Sequence, residues 1–139
     1  MTNIKTTFEK YSLEKDTALI TGGAGLLGVQ HAAAILEAGG SVVLTDLRTE
    51  ELKRAKEKLS EDYAEKNIYI YEMNVTERQH IKSVDAELKS KGIHVSILIN
   101  NAAIDPKVNE QSTTTESSRL ENFDLDQWNL QLSVGLTGA

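Results

Sequence analysis

Gly23, Gly25 and Gly28 stand at the spacing G-x-G-x-x-G inside the run Thr21-Gly22-Gly23-Ala24-Gly25-Leu26-Leu27-Gly28. The run follows the apolar Ala18-Leu19-Ile20 and precedes a helical pattern. A glycine-rich turn between a strand and a helix is suited to holding phosphate groups. One glycine makes the tight turn, one lets backbone approach a pyrophosphate, and one lets helix and strand pack closely. The free N–H groups and positive dipole end of the helix then face the anion. Nine glycines in 139 residues can produce the pattern by accident, so its weight comes from where three other features fall.

Asp46 stands at the end of the second predicted strand. That is about 20 residues after the turn, where a carboxylate accepts both ribose hydroxyl protons of an adenosine. It also repels a 2′-phosphate, which favours NAD over NADP. Taken alone, an exposed turn aspartate accounts for it too. Arg48 softens the selectivity if it swings toward a 2′-phosphate. Asn74-Val75 closes the third strand, where a side-chain amide can reach an adenine amino group. A polar strand end leading into the next helix explains that pair equally well. Asn100-Asn101-Ala102-Ala103 closes the fourth strand. Two small residues there let a flat ligand lie over the sheet edge, and an asparagine can tie neighbouring strands together. The competing reading is turn chemistry, and the place at a strand's carboxyl end is what raises the functional one.

Strands and helices must alternate to bring these tips together, which implies a parallel sheet with helices on its faces. After a polar lead-in over 1–15, strand one is predicted over Thr17 to Thr21 and helix one over Leu26 to Ala38, stopped by Gly39-Gly40. Strand two covers Ser41 to Thr45, ending at Asp46. Helix two covers Glu50 to Lys66, with Thr49 as N-cap and Leu52, Ala55, Leu59 and Tyr63 as its core stripe. Strand three covers Ile68 to Met73. Helix three covers Glu77 to Lys91, with a Thr76/Gln79 capping box, Ile81, Val84 and Leu88 facing inward, and Gly92 as its stop. Strand four covers Ile93 to Ile99. Asp105 to Ser118 then reads as a long polar surface loop. Asp124 and Gln127 mark a new helix start before Trp128, Leu130 and Leu132.

Composition excludes several classes. With no cysteine, disulfides, thiolate catalysis and cysteine metal sites are out, and His31, His80 and His94 lack ligand spacing, so no metal site is expected. A net charge of −6 argues against a nucleic-acid partner. No apolar stretch approaches the roughly 20 residues of a membrane span, and Met1 to Lys10 lacks a signal-peptide core, so a cytoplasmic protein is expected.

The chain resembles the short-chain dehydrogenase/reductase family in its Thr21–Gly28 turn, Asp46, Asn74-Val75-Thr76 and Asn100-Asn101-Ala102-Ala103. The resemblance implies a Rossmann-type doubly wound parallel sheet of order 3-2-1-4, a cofactor domain over 16–139, and a nicotinamide dinucleotide, NAD rather than NADP. It assigns cofactor contacts to Thr21, Gly22, Gly23, Gly25, Leu26, Leu27 and Gly28 for the phosphates and Asp46 with Leu47 for the adenosine ribose. Asn74 and Val75 would face adenine, and Asn101, Ala102 and Ala103 the nicotinamide-side ribose. The activity implied is hydride transfer to or from a hydroxyl or carbonyl substrate, by a homo-oligomer when full length. The glycine spacing is commoner in the family's extended branch, whereas N-N-A-A resembles the shorter branch. Asn74 stands where aspartate is usual, and Gly135 where the family has a catalytic asparagine. Similar bacterial members are associated with flagellin or surface-polysaccharide modification, which points to a sugar-type substrate. The family's catalytic serine and Tyr-x-x-x-Lys lie beyond helix four, inside which this chain stops, before a fifth strand. No catalytic residue is therefore expected here, and the sheet should expose an unpaired edge at strand four. Tyr11 to Lys15 matches Tyr-x-x-x-Lys but precedes strand one and reads as chance. Two other classes fit parts of the pattern: a non-catalytic dinucleotide sensor, and a methyltransferase using S-adenosylmethionine.

Overall fold

The computed structural model describes residues 10–104 and 124–139. Its elements are β1 (Thr17–Thr21), α1 (Leu26–Glu37), β2 (Ser41–Asp46), α2 (Thr49–Ser60), a 3-10 turn (Glu65–Asn67), β3 (Ile68–Glu72), α3 (Arg78–Ser90), β4 (Ile97–Ile99) and α4 (Leu125–Leu132). The strands form one parallel sheet in the order β3-β2-β1-β4, as expected. Thr21 pairs with Thr45, and Asp46 with Glu72, so the strand tips carrying the candidate residues lie side by side.

Alternation within the strands builds two cores. Ala18, Ile20, Val42, Leu44 and Ile68 meet Ala32 and Leu36 of α1 and Leu52, Ala55 and Leu59 of α2 on one face. Val43 and Met73 meet Val84 and Leu88 of α3 on the other. Val42, Val43 and Leu44 are fully buried, because β2 is covered on both faces and paired on both edges.

The helix ends depart from the sequence-based boundaries for identifiable reasons. Helix α2 stops at Ser60 rather than Lys66. There the backbone bonds tighten from i−4 to i−3, Asp62 N–H donating to Leu59 O at 3.3 Å, while the Ser60 hydroxyl donates back to Lys56 O. Thr49 is the first helical residue and not the cap; its hydroxyl donates to the Glu72 carboxylate. The Thr76/Gln79 capping box does not form. Asn74 Oδ1 accepts from both the N–H and the hydroxyl of Thr76, at 3.0 and 2.8 Å, which uses the hydroxyl proton in an Asx turn. Ile81 does not face inward but is 40 % exposed.

Strand β4 begins at Ile97 rather than Ile93. Ile93 and Val95 pack against the second core, yet the ladder to β1 starts only at Ala18–Ile97. The Ser96 hydroxyl occupies the junction, donating to the Asp16 carboxylate and accepting from Thr17 N–H. The lead-in is tied down at its end, where Leu13 N–H donates to Ala38 O. Asp124 caps α4 as expected, accepting from Asp126 N–H at 2.9 Å. Leu98 of β4 and Leu125, Trp128, Leu130, Leu132 and Leu136 are exposed. The polar-loop reading over Asp105 to Ser118 lies outside the described residues.

Burial ranks substitutions along the sheet. Leu44→Ala, at a fully buried site, should cost ~2–5 kcal/mol in urea unfolding. Leu98→Ala, on an exposed side chain, should cost less than about 1 kcal/mol.

Candidate functional site

The site is built at the carboxyl ends of β1, β2 and β4. Gly22 turns the chain with φ +62, in the left-handed region that a side chain disfavours. Gly23 N–H donates to Thr45 O at 2.9 Å, stitching the turn to β2. A side chain at Gly28 would strike the Gly22 carbonyl oxygen and lie 2.8 Å from Gly23 Cα, so α1 rests directly on the turn. At Gly25 an added carbon would meet only Gly22 O, at 3.2 Å.

Helix α1 starts at Leu26 with Gly25 as a cap that has no side chain to accept a hydrogen bond. Val29 N–H donates to Gly25 O at 3.1 Å. Among the described residues nothing accepts from the N–H groups of Leu26, Leu27 and Gly28, and no acidic side chain lies in the first turn. The first turn of α1 therefore keeps its positive dipole end and free donors for an external anion. Leu26 and Leu27 side chains are exposed beside it.

Thr21 and Asn101 lock this turn to β4. The Thr21 hydroxyl accepts from the N–H groups of Asn101 and Ala102, each at 3.0 Å. Asn101 Nδ2 donates to Thr21 O and Gly22 O, both at 3.0 Å. Ala102 lies against Gly22, where an added carbon would be 2.9 Å from Ala102 Cα. Of the Asn100-Asn101 pair, Asn101 is thus the one that ties the neighbouring strand ends, and Ala103 stands exposed just beyond.

Asp46 is 7 % exposed at the tip of β2. Its Oδ2 accepts from Ala24 N–H at 3.3 Å, which joins it to the glycine turn. Its Oδ1 accepts from Arg48 N–H at 3.2 Å, and the Arg48 side chain donates to both oxygens, Nε to Oδ1 at 3.1 Å and Nη2 to Oδ2 at 3.4 Å. That hydrogen-bonded carboxylate holds the Arg48 guanidinium above its ordinary pKa. Sequence reasoning put Asp46 at the tip of β2, where it stands, but missed the fork and the Ala24 contact, since both depend on how the two turns close in space. Leu47 is exposed next to it.

Asn74 is committed through Oδ1 to Thr76, and its N–H donates to His80 Nδ1 at 3.4 Å. Val75 packs toward the chain's last residues, within 2.9 Å of where a side chain on Gly138 would stand. A side chain at Gly135 would meet nothing within 4 Å, so packing does not dictate glycine there. Tyr11 is exposed before the start of β1, at the opposite end of the strand from Thr21. No group of three metal-ligating side chains occurs among the described residues, and no helix there is long and apolar enough to cross a membrane.

The family model for short chain dehydrogenases matches residues 16–139. The chain belongs to the short-chain dehydrogenase family. A short chain dehydrogenase/reductase of Gibberella zeae is 32 % identical over 126 residues, covering 91 % of this chain and 42 % of that protein. Another, from Macrophomina phaseolina, is 33 % identical over 130 residues, covering 94 % of this chain and 69 % of that protein. A gluconate 5-dehydrogenase from Burkholderia cenocepacia, solved with NADP and tartrate, shares the fold with a TM-score of 0.77 at 24 % identity, covering 96 % of this chain and 48 % of that one. This short-chain dehydrogenase chain thus spans less than half of the first relative's length.

The clamp and the turn should differ sharply in tolerance. Asn101→Ala removes both side-chain bonds to the Thr21 and Gly22 carbonyls and should cost ~1–3 kcal/mol in chemical unfolding. Gly28→Ala should cost a similar ~1–3 kcal/mol through overpacking. Gly25→Ala should stay within about 1 kcal/mol of the parent chain.

Proposed function

We propose that residues 16–139 are the NAD-binding unit of a short-chain oxidoreductase that moves hydride between a nicotinamide cofactor and a hydroxyl or carbonyl substrate. The observation that carries this is the open first turn of α1, with the unaccepted N–H groups of Leu26, Leu27 and Gly28, following a turn whose Ala24 N–H donates to the Asp46 carboxylate. The residues present fit such a ligand. Gly25 leaves room at the helix start, the donors suit phosphate, and Asp46 suits a ribose diol. A nicotinamide cofactor, when bound, supplies the hydride chemistry itself. In this reading Thr21 to Gly28 hold the phosphates, while Asp46 and Leu47 line the adenosine ribose. Asn74 and Val75 border the adenine, and Asn101, Ala102 and Ala103 border the nicotinamide-side ribose. A sugar-type alcohol is the substrate class we put forward, and the cofactor choice is NAD because a carboxylate repels a 2′-phosphate.

Calorimetric titration tests the reading. NAD should bind the chain, and S-adenosylmethionine at the same concentrations should not. Asp46→Ala should weaken NAD about tenfold and NADP less. Equal losses for the two nucleotides would refute the ribose role, and preferential S-adenosylmethionine binding would replace the reading altogether.

A further inference from the structure

We propose that the outer edge of β3 is a self-association surface, where a second copy of this chain pairs antiparallel about a two-fold axis at Ile70. In the sheet order β3-β2-β1-β4, β3 has β2 on one side and, among the described residues, no strand on the other. It reads Ile68-Tyr69-Ile70-Tyr71-Glu72, strong strand formers with no proline and no charge before the last residue. Its pairing with β2 is regular and free of bulges. Edge strands that stay unpaired are usually guarded by charge, proline or a bulge, and Ile68 to Tyr71 carry none of these. Met73 N–H donates to Asp46 O at 3.0 Å, just past the strand end, which fixes the alternation of the ladder. The N–H and C=O groups of Tyr69 and Tyr71 therefore turn toward β2, and those of Ile68, Ile70 and Glu72 turn outward.

This edge is complementary to itself. With Ile70 opposite the partner's Ile70, the two exchange both N–H···O bonds, and Ile68 meets the partner's Glu72 in the same way. No like charges then face each other along the strands. Between these rungs Tyr69 falls opposite the partner's Tyr71, a close aromatic pair on the face of the second core. Both tyrosines are half-buried, so each keeps surface for a partner. On the other face Ile70 lines an open groove of about 430 Å³, rimmed by Lys53, Lys56, Glu57 and Glu61. The rim is charged in order, with lysines toward the start of α2 and glutamates toward its end. A two-fold axis at Ile70 runs the partner's α2 antiparallel to this one. Lys53 then faces the partner's Glu61, and Glu61 the partner's Lys53. Glu57 and Glu61 hold no ion pair among the described residues, and Lys53 has only a solvent-exposed one, to Glu50. Backbone, tyrosines and charge order thus each match under the same two-fold rotation, which is the requirement of an isologous contact and selects a second copy over an unrelated strand.

Sedimentation velocity of the chain from about 1 μM to about 1 mM tests this, and a monomer–dimer equilibrium with a micromolar dissociation constant is expected. The chain has no cysteine, so Ile70→Cys introduces a single thiol. Residues facing each other as a hydrogen-bonded pair stand about 5.5 Å apart at Cα, within the span of a disulfide. With diamide as oxidant, Ile70→Cys should cross-link at least about tenfold faster than Leu98→Cys on the opposite edge strand, because pairing holds the two thiols at high effective concentration. Glu61→Lys, at an exposed position, should weaken the dimer roughly three- to tenfold. Adding Lys53→Glu to Glu61→Lys should restore it. A chain that stays monomeric throughout that range overturns the proposal. So does a dimer in which Leu98→Cys cross-links as fast as Ile70→Cys, or one in which the charge swap restores nothing.

Discussion

The contact between Gly28 and the Gly22-Gly23 turn governs the site. Helix α1 begins where it does because no side chain intervenes between its first turn and the backbone beneath it. A single methyl group at Gly28 would lift the helix off the strand tip. The free N–H groups of Leu26 and Leu27 would shift with it, and Ala24 N–H would lose its acceptor on Asp46. The parallel sheet supplies the platform, and its buried valines and leucines supply the stability. The glycine contact brings the open end of a helix dipole and a carboxylate to the same edge of that platform.

Much of this was legible in the chain because it is written in local chemistry. Short apolar runs, alternating with helical patterns, identify β1, β2 and β3. The distance from the glycine turn to Asp46 locates the tip of β2. The misreadings share a cause, which is competition between local signals that spacing cannot arbitrate. Thr76 faced both Gln79 and Asn74, and the shorter i+2 partner won. Tyr63 kept the helical stripe going past Ser60, although its side chain reaches the core from beyond the helix end. Ile93 and Val95 looked like strand because they are buried, yet burial on a loop approaching the sheet gives the same composition.

The Arg48 fork was invisible for a different reason. A basic residue two positions after an aspartate is ordinary, and nothing in the sequence says that both carboxylate oxygens will be engaged. That depends on the extended backbone at Arg48, φ −104 and ψ 93, which carries the side chain back over Asp46 before α2 begins. Family membership accounts for the turn and the carboxylate, whereas the filling of that carboxylate belongs to this chain's own geometry.

The Thr21 hydroxyl accepts two N–H groups from the segment that follows β4, while Asn101 donates to the carbonyls of Thr21 and Gly22. Mechanically, this makes the turn and the end of β4 a single plate. Neither can swing out without breaking all four bonds, so thermal opening at one is opening at both. A force or a clash felt at Ala102 reaches the start of α1 without passing through the hydrophobic core, and the two ends of any elongated ligand lying across this plate would be held in register by the protein rather than by the ligand's own stiffness.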